Sequence, residues 1–207
     1  MIQYREATKS DLNQIVTTHT ECFQKYFLTS MGKEFLKRYY EAYLDEKAPF
    51  VVAVDDNGDI VGFCMGYYSG SKARINFERE NKWFIIRRLL VACLKFNKGA
   101  YQRIGRKIKQ LFKKGKKAKS DIRQNPEKRA ELLSICVLDK ARGQSVATKL
   151  LESFENIIMS DGATKYNLSV YKTNHRAIRF YEKSDFKYVM DLDDEKIYTK
   201  QLSAIEN

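Results

Sequence analysis

Apolar residues recur along the first half of the chain at the two spacings that distinguish strands from helices. Alternation over residues 2–7 predicts a half-buried strand, and Leu12, Ile15 and Val16 share one face of a helix that Ser10-Asp11 could cap. A second amphipathic helix is predicted over 31–44, with an aromatic-rich linker over 19–30. Residues 50–54 and 60–68 are apolar runs joined by Asn57-Gly58, which predicts a β-hairpin.

The second half of the chain alternates between the two periods. A strand is predicted at 132–137, a helix from Ser145, a strand at 165–171 and a helix at 174–183. Two closing strands are predicted at 186–190 and 196–202, with a turn between them. This order predicts a mixed α/β fold.

Charge separates one segment from the rest of the 207 residues. Residues 71–130 hold 20 Lys/Arg and 4 Asp/Glu, a net charge of +16, while the remainder carries −4. We therefore predict a single domain over 1–207, in which 71–130 is a basic helical insertion between the third and fourth strands. Its apolar run at 83–94 is too short and too charged to span a bilayer, and an amphipathic helix is predicted over 102–114.

Two readings of that insertion remain open. Its helices could pack on the domain and expose a solvated basic face, or they could cover an anionic acceptor or contact anionic lipid. A nucleic-acid partner is not expected. The start of the chain has no signal-like apolar segment, and the four cysteines form no CxxC pair, so we expect a cytoplasmic protein with reduced thiols and no bound metal.

The candidate chemistry begins where the strand at 132–137 meets the helix that follows it. Between them lies Arg142-Gly143-Gln144-Ser145-Val146-Ala147, whose small residues let a ligand approach the backbone closely. Free N–H groups at a helix start attract anions, most often phosphate. The pattern therefore predicts an anion-binding loop.

Two motifs carry a resemblance to a known family. Arg142-x-x-Ser145-x-Ala147 resembles the (Gln/Arg)-x-x-Gly-x-(Gly/Ala) pyrophosphate loop of the GCN5-related N-acetyltransferase (GNAT) superfamily, with serine at the first small position. About thirty residues later, the segment 174–186 resembles the second signature, Asn-x-x-Ala-x-x-(Phe/Leu)-Tyr-x-x-x-Gly-Phe. It departs from that signature at Asp185, where glycine is usual.

The resemblance implies a twisted, mostly antiparallel sheet with helices on both faces, and acetyl-CoA as the co-substrate. Strands 132–137 and 167–171 are expected to splay apart, so that main-chain groups of Ile135 and Val137 bind the pantetheine arm. Asn174 is expected to contact the pantetheine or a water, and Tyr181 to protonate the leaving thiolate as general acid. The pyrophosphate is expected on the amides of Arg142, Gly143, Gln144, Ser145, Val146, Ala147 and Thr148.

The resulting hypothesis is an N-acetyltransferase that moves an acetyl group to a primary amine of a small molecule by direct attack on the thioester. Two alternatives remain: a protein or peptide N-acetyltransferase, and a non-catalytic acyl-CoA-binding module attached to an anionic surface. His19, Glu21 and Glu131 are candidate bases by residue type, and none is singled out. Cys136 has no neighbouring histidine in the sequence that would favour a nucleophile.

Overall fold

One seven-stranded sheet organises the chain in the computed structural model, which describes residues 1–24, 26–95 and 128–202. The strands are β1 (Gln3–Glu6), β2 (Phe50–Val54), β3 (Ile60–Tyr68), β4 (Lys128–Val137), β5 (Ala163–Tyr171), β6 (Lys187–Leu192) and β7 (Glu195–Gln201). The helices are α1 (Leu12–Cys22), α2 (Phe27–Ser30), α3 (Lys33–Asp45), α4 (Ala73–Glu80), α5 (Lys82–Lys95), α6 (Val146–Ser160) and α7 (His175–Lys183).

The strands lie in the order β1-β2-β3-β4-β5-β7-β6. Among the described residues, β4 and β5 form the parallel pair, and the other five neighbouring pairs are antiparallel. The crossover from β4 to β5 runs through α6, as a parallel connection requires. The predicted mostly antiparallel α/β sheet is confirmed.

Helices cover both faces of the sheet, as predicted. On one face, α6 buries Leu150, Phe154 and Ile158 against the sheet, and α7 adds Ile178 and Tyr181. On the other face α1 and α3 pack on the opposite side chains of the same strands. The buried residues of that second layer include Ile15, Leu36, Tyr40, Phe50, Phe63, Met65 and Cys136.

The first part of the predicted insertion is helical. The predicted helix at 83–94 is confirmed as α5, and a small cluster of Met31, Phe35, Phe77 and Ile85 joins α4 and α5 to the domain. The predicted helix at 102–114 lies outside the described residues. Strand β4 begins at Lys128, so residues 128–130 belong to the sheet and not to the insertion. No helix in the described parts of the chain is long and apolar enough to cross a membrane.

The prediction of a linker over 19–30 is wrong. Helix α1 continues to Cys22, and residues 27–30 form the short helix α2. The last turn of α1 is stabilised by packing, because His19 is only 3% exposed and its Nδ1 atom lies 2.6 Å from the Tyr40 hydroxyl on α3. Helix α3 starts at Lys33, two residues later than predicted, because Gly32 has a φ of 90° and interrupts the helical backbone.

Candidate active site

A gap opens between the two parallel strands at the centre of the sheet. Pairing between β4 and β5 runs from Lys128↔Ala163 to Leu132↔Leu168 and stops there, although β4 continues to Val137 and β5 to Tyr171. Both strands remain paired on their outer sides, β4 with β3 and β5 with β7. The sheet is therefore intact on each side of the unpaired segment.

A β-bulge in β4 coincides with the start of this gap. Met65 pairs with Ser134 and Gly66 pairs with Leu132, so Leu133 is an extra residue on β4. Bulges end pairing and redirect side chains. Before the bulge Leu132 lies on the α6 face. After it, Ile135 lies on the α6 face, while Ser134 faces α1 and α3, on the same side as its partner Met65.

Glycine is required opposite the bulge. A Cβ atom on Gly66 would lie 2.6 Å from Cζ of Phe154 and would also overlap the carbonyl oxygen of Glu131. Both neighbours are held, one in the core and one in the ladder. Any larger residue at position 66 would push β4 or α6 away from β3, so this glycine keeps the gap where it is.

The main-chain groups of β4 next to the gap point into it. The Leu138 N–H donates to the Val61 carbonyl at 2.8 Å, so in an antiparallel ladder the alternate residues Ile135 and Val137 direct their N–H and C=O groups away from β3. On β5, the Lys172 N–H donates to the Asp194 carbonyl, so the main-chain groups of Lys172 point toward β7. Main-chain groups alternate along a strand, so the N–H and C=O groups of Tyr171 point the other way, into the gap. An extended ligand could hydrogen-bond to both edges.

Below the gap, the loop that enters α6 exposes a group of amides. The first helical bond runs from the Lys149 N–H to the Ser145 carbonyl, so the N–H groups of Val146, Ala147 and Thr148 have no acceptor within the helix. Gly143 and Ser145 have φ angles of 79° and 58°. These left-handed residues turn the chain sharply and leave the amides at the helix start, where the helix dipole favours an anion.

Two polar side chains of this loop stabilise the loop itself. Nε of Arg142 donates to the Val137 carbonyl at 3.2 Å, and its guanidinium also pairs with Asp139. Nε2 of Gln144 donates to the Lys140 carbonyl at 3.3 Å. Arg142 therefore ties the end of β4 to the loop and already occupies one of the carbonyls that face the gap.

Asn174 and Tyr181 both lie on α7, where they have different structural roles. Asn174 is the N-cap residue, and its Oδ1 accepts from the Ala177 N–H at 3.2 Å. Burial is the main cause that raises the pKa of Tyr181 well above its usual value, and the nearby Cys64 and Tyr26 add to the increase. Because Cys64 pairs with Ile135 across the ladder, the phenol lies close to the level of Ile135, on the α6 face.

The opposite side of the gap is lined by aromatic and hydroxyl side chains that the motifs do not contain. Ring contacts run from His19 to Phe23 at 4.8 Å, from Phe23 to Tyr26 at 5.1 Å, and from Tyr26 to Tyr171 at 6.1 Å. This aromatic series joins the end of α1 to the end of β5. Ser134 lies on the same side, half-buried.

The three candidate bases are in different surroundings. Burial lowers the pKa of His19 to about 4, so its imidazole is neutral at pH 7. Glu131 is exposed on β4 and accepts a hydrogen bond from the Tyr67 hydroxyl, and Glu21 is exposed on α1. Burial raises the pKa of the Cys136 thiol well above its usual value, and the thiol of Cys22 is its hydrogen-bonding neighbour. That environment disfavours the thiolate form of Cys136.

One cleft in the described structure lies away from the gap. It has a volume of about 430 Å³, lies between α3 and α4, and is lined by charged side chains that include Glu34, Arg38 and Glu46. Those groups are mutually paired, for example Arg38 with Glu34 at 2.9 Å. This cleft therefore lies apart from the place where β4 and β5 separate.

Comparison with known proteins gives a family model and many related folds. The acetyltransferase (GNAT) family model matches residues 112–186, which include the loop before α6 and helix α7. No curated protein matches the chain. The PaiA N-acetyltransferase from Thermoplasma acidophilum, solved with coenzyme A, is 15% identical with a TM-score of 0.61, over 98% of this chain and 99% of that one.

Two further solved structures share the fold at similar distance. The ribosomal-protein-S18-alanine N-acetyltransferase from Escherichia coli is 13% identical with a TM-score of 0.59, over 100% of this chain and 98% of that one. Arabidopsis thaliana NAA60, solved with acetyl-CoA, is 14% identical with a TM-score of 0.58, over 98% and 99%.

The chain has the fold of these solved N-acetyltransferases, with the parallel pair split at the centre of the sheet. Over residues 112–186, which contain both motif regions, it is similar to the acetyltransferase (GNAT) family model.

Proposed function

We propose that this protein transfers the acetyl group of acetyl-CoA to a primary amine of a small molecule, by direct attack of the amine on the thioester. The observation that carries the proposal is the early end of β4–β5 pairing at Leu132↔Leu168, directly above the exposed amides at the start of α6. An extended arm with a diphosphate at one end fits that combination. The match of the acetyltransferase (GNAT) family model over residues 112–186 supports it.

In this proposal the donor is held mainly by main-chain groups. Ile135 and Val137 on β4 bind the pantetheine arm as a strand would bind its neighbour. The amides of Arg142, Gly143, Gln144, Ser145, Val146, Ala147 and Thr148 surround the pyrophosphate, with the dipole of α6 adding to the attraction. Asn174 is proposed to contact the pantetheine or a water, and as the N-cap residue it fixes the start of α7.

The thioester supplies the activated acetyl group, and the side chains supply orientation and one proton. An N–H from β4 donates to the thioester oxygen as negative charge develops there. The nitrogen–carbon bond forms as the carbon–sulfur bond breaks, and Tyr181 gives its hydroxyl proton to the departing sulfur. The attacking nitrogen loses one proton to solvent, and the Tyr181 phenolate takes one back from solvent. Tyr181 is protonated at neutral pH, as a general acid must be, because the ordinary pKa of a tyrosine is about 10 and burial raises it further.

Release of free CoA thiol from acetyl-CoA, measured over a panel of primary amines, tests the proposal. Tyr181→Phe should lower kcat about 100-fold or more, the usual contribution of a general acid, without weakening acetyl-CoA binding. Tyr188→Phe is the matched control, because it removes an exposed hydroxyl on β6. Tight acetyl-CoA binding with no turnover on any amine would instead favour a non-catalytic acyl-CoA-binding module.

The acceptor panel should contain peptides as well as small amines. Solved structures with this fold include an enzyme named for a ribosomal protein, so a protein or peptide acceptor is the alternative within the same chemistry. Higher kcat/KM for a peptide amino terminus than for every small amine would reject the small-molecule acceptor. The free thiols of Cys22, Cys64 and Cys136 support our proposal of a reducing, cytoplasmic setting.

We also propose that the predicted insertion, which ends at residue 127 because 128–130 belong to β4, contacts an anionic surface. Trp83 is 79% exposed and Ile75 63% exposed, and Nζ of Lys82 lies 6.0 Å from the Trp83 ring centroid. Exposed apolar side chains next to cationic ones are suited to binding at an anionic membrane surface. Trp83 is the single tryptophan of the chain, so a blue shift with phosphatidylglycerol vesicles but not phosphatidylcholine vesicles would support contact.

A control and an alternative complete that test. Ile75→Ser should reduce the shift, whereas unchanged fluorescence in wild-type protein would mean that the basic face is simply solvated. An anionic small amine offers the same charge match as lipid, so the acceptor panel should include one.

A further inference from the structure

A half-buried carboxylate that has no cationic partner among the described residues lies close to the gap. Tyr171 is the last residue of β5, and its cross-strand partner on β7 is Glu195. Because the Lys172 N–H donates to the Asp194 carbonyl, Tyr171 and Glu195 form a non-hydrogen-bonded pair, in which the two side chains lie closest. Both project from the face opposite Tyr198, which is buried on the α6 side, so they lie on the same side of the sheet as α1 and α3.

The lysines next to this pair in the sequence contact other groups. Lys196 directly follows Glu195, and its Nζ lies 5.4 Å from the centroid of the Tyr188 ring. Nζ of Lys172 lies 2.7 Å from Oδ2 of Asp191. Neither lysine therefore compensates the Glu195 carboxylate.

The side chains around Glu195 on its own face are uncharged. Tyr171 on β5 and Leu192 on β6 lie opposite it, and Ile197 follows two residues along β7. Within the described residues Glu195 forms no ion pair, although its side chain is half-buried. Withdrawing a carboxylate from water is unfavourable unless a cation or a hydrogen-bond donor compensates, so a cationic ligand would be favoured there.

Aromatic rings extend from this pair toward α1. The ring centroids of Tyr26 and Tyr171 are 6.1 Å apart, and Phe23 packs on Tyr26 at 5.1 Å. Tyr26 is 36% exposed, so part of its ring is accessible to a ligand. Aromatic ring faces attract cations, and a carboxylate beside them adds to that attraction. Glu195 and the two tyrosines together are therefore suited to binding an ammonium group.

These side chains lie at about the level of the proposed thioester. Ile135 on β4 and Tyr171 on β5 are each three residues beyond the last pair, Leu132↔Leu168. In the proposed function the pantetheine arm lies between these strands, one strand spacing from β5 and two from β7. Two spacings are about 10 Å, so Glu195 is within reach of the far end of a short acceptor whose amine is at the thioester.

We propose that the acceptor is a small diamine, and that Glu195, Tyr26 and Tyr171 bind its second, protonated amino group. This inference rests on the proposed acetyl transfer, in which the first amino group attacks as the neutral amine. The chain outside 71–130 has a net charge of −4, which also favours a cationic substrate over an anionic one. The three side chains determine specificity and take no part in the bond changes.

Steady-state kinetics with α,ω-diamines and with n-alkylamines of the same length test the inference. For wild-type protein, kcat/KM should be about tenfold higher for the best diamine than for the matched monoamine, the effect of one hydrogen bond to a charged group. Glu195→Gln should remove most of that preference by raising the KM for the diamine, and should leave monoamine turnover and the KM for acetyl-CoA unchanged. Tyr26→Leu should reduce the preference, whereas Tyr26→Phe should retain it, because a phenyl ring still attracts a cation.

Asp194→Asn is the matched control for the loss of one negative charge. Asp194 is exposed in the turn directly before Glu195, and its replacement should leave the preference for the diamine unchanged. Three results would each overturn this inference alone: a wild-type kcat/KM no higher for diamines than for monoamines, an unchanged preference in Glu195→Gln, or an equal loss in Asp194→Asn. No turnover of any amine by the wild-type protein would overturn the proposed function and this inference together.

Discussion

Asp185 provides a quantitative test of the backbone at the end of α7. The helix ends in a Schellman motif, in which the Phe186 N–H donates to the Tyr181 carbonyl at 3.1 Å. The same two residues make the accompanying apolar contact, with ring centroids 5.4 Å apart. Asp185 occupies the left-handed position of this motif with a φ of 66°, where glycine has no steric cost.

We predict that Asp185→Gly stabilises the protein by about 1 kcal/mol. A left-handed L-residue costs about 1–2 kcal/mol. An exposed carboxylate at a helix C-terminus adds about 0.3 kcal/mol. Against this, glycine loses about 0.5–1 kcal/mol more backbone entropy on folding. For a chain of this size, 1 kcal/mol corresponds to a rise in Tm of about 2–4 °C.

Thermal and urea unfolding followed by circular dichroism would measure the effect, with two further variants at the same position. Asp185→Asn should stabilise by only a few tenths of a kcal/mol, because asparagine removes the charge and still tolerates the left-handed region. Asp185→Ala should destabilise, because it lacks that tolerance. If alanine stabilised as much as glycine, the charge and not the backbone would be responsible, and the reasoning would be refuted.

Three other predictions concern the loop before α6, the stability of the protein at low pH and the reactivity of the cysteines. Thr148→Glu should stabilise α6 by about 0.5 kcal/mol through the helix dipole and should weaken CoA binding measured by calorimetry. Thr148→Gln should change neither the stability nor the CoA affinity. Unchanged CoA affinity in Thr148→Glu would exclude a diphosphate at this helix start. A hydrogen-bonded pair with Arg5 lowers the pKa of Asp11 to about 2, so its stabilisation is complete above about pH 4 and lost as the pH falls toward 2. Asp11→Asn should therefore lower the free energy of unfolding by about 1–2 kcal/mol at pH 7. This is less than the full pKa shift implies, because Arg5 is half-exposed. Between pH 4 and 2, the free energy of unfolding measured with urea should change less with pH in this variant than in the wild-type protein. Among Cys22, Cys64 and Cys136, iodoacetamide should label Cys22 first, because Cys22 is partly exposed and a hydrogen bond from Cys136 lowers its pKa. Burial raises the pKa of Cys64 and Cys136. Equal labelling of the three in native protein, measured by peptide mass spectrometry, would contradict this prediction.

Periodicity was sufficient to predict elements that are stabilised by their own pattern. The hairpin of β2 and β3 follows from two apolar runs around Asn57-Gly58, and α6 follows from its 3.6-residue repeat. The left-handed φ angles of Ser145 and Asp185 explain why glycine is usual at those two motif positions. Each departure keeps the backbone turn and changes only its energetic cost.

Features that depend on distant contacts were not predictable from the pattern. The last turn of α1 exists because His19 reaches Tyr40, twenty-one residues away, and no local period encodes that contact. The bulge at Leu133 lies inside a run of apolar residues that reads as an ordinary strand. The aromatic series from Phe23 through Tyr26 to Tyr171 needs the whole fold to bring α1 and β5 together, so residue type alone could not select it.

Leu133, the extra residue in β4, also changes which residue positions of the strand face each side of the sheet. Up to Leu132 even-numbered positions look toward α6, and from Ser134 onward odd-numbered positions do. Removing that single leucine would leave the pairs Gly66↔Leu132 and Met65↔Ser134 next to each other in a regular ladder, with Ser134 still on the α1 side and Ile135 still on the α6 side. The additional residue therefore leaves the two faces of β4 unchanged and displaces only the numbering, so counting alternate positions through the strand assigns one half of it to the wrong face.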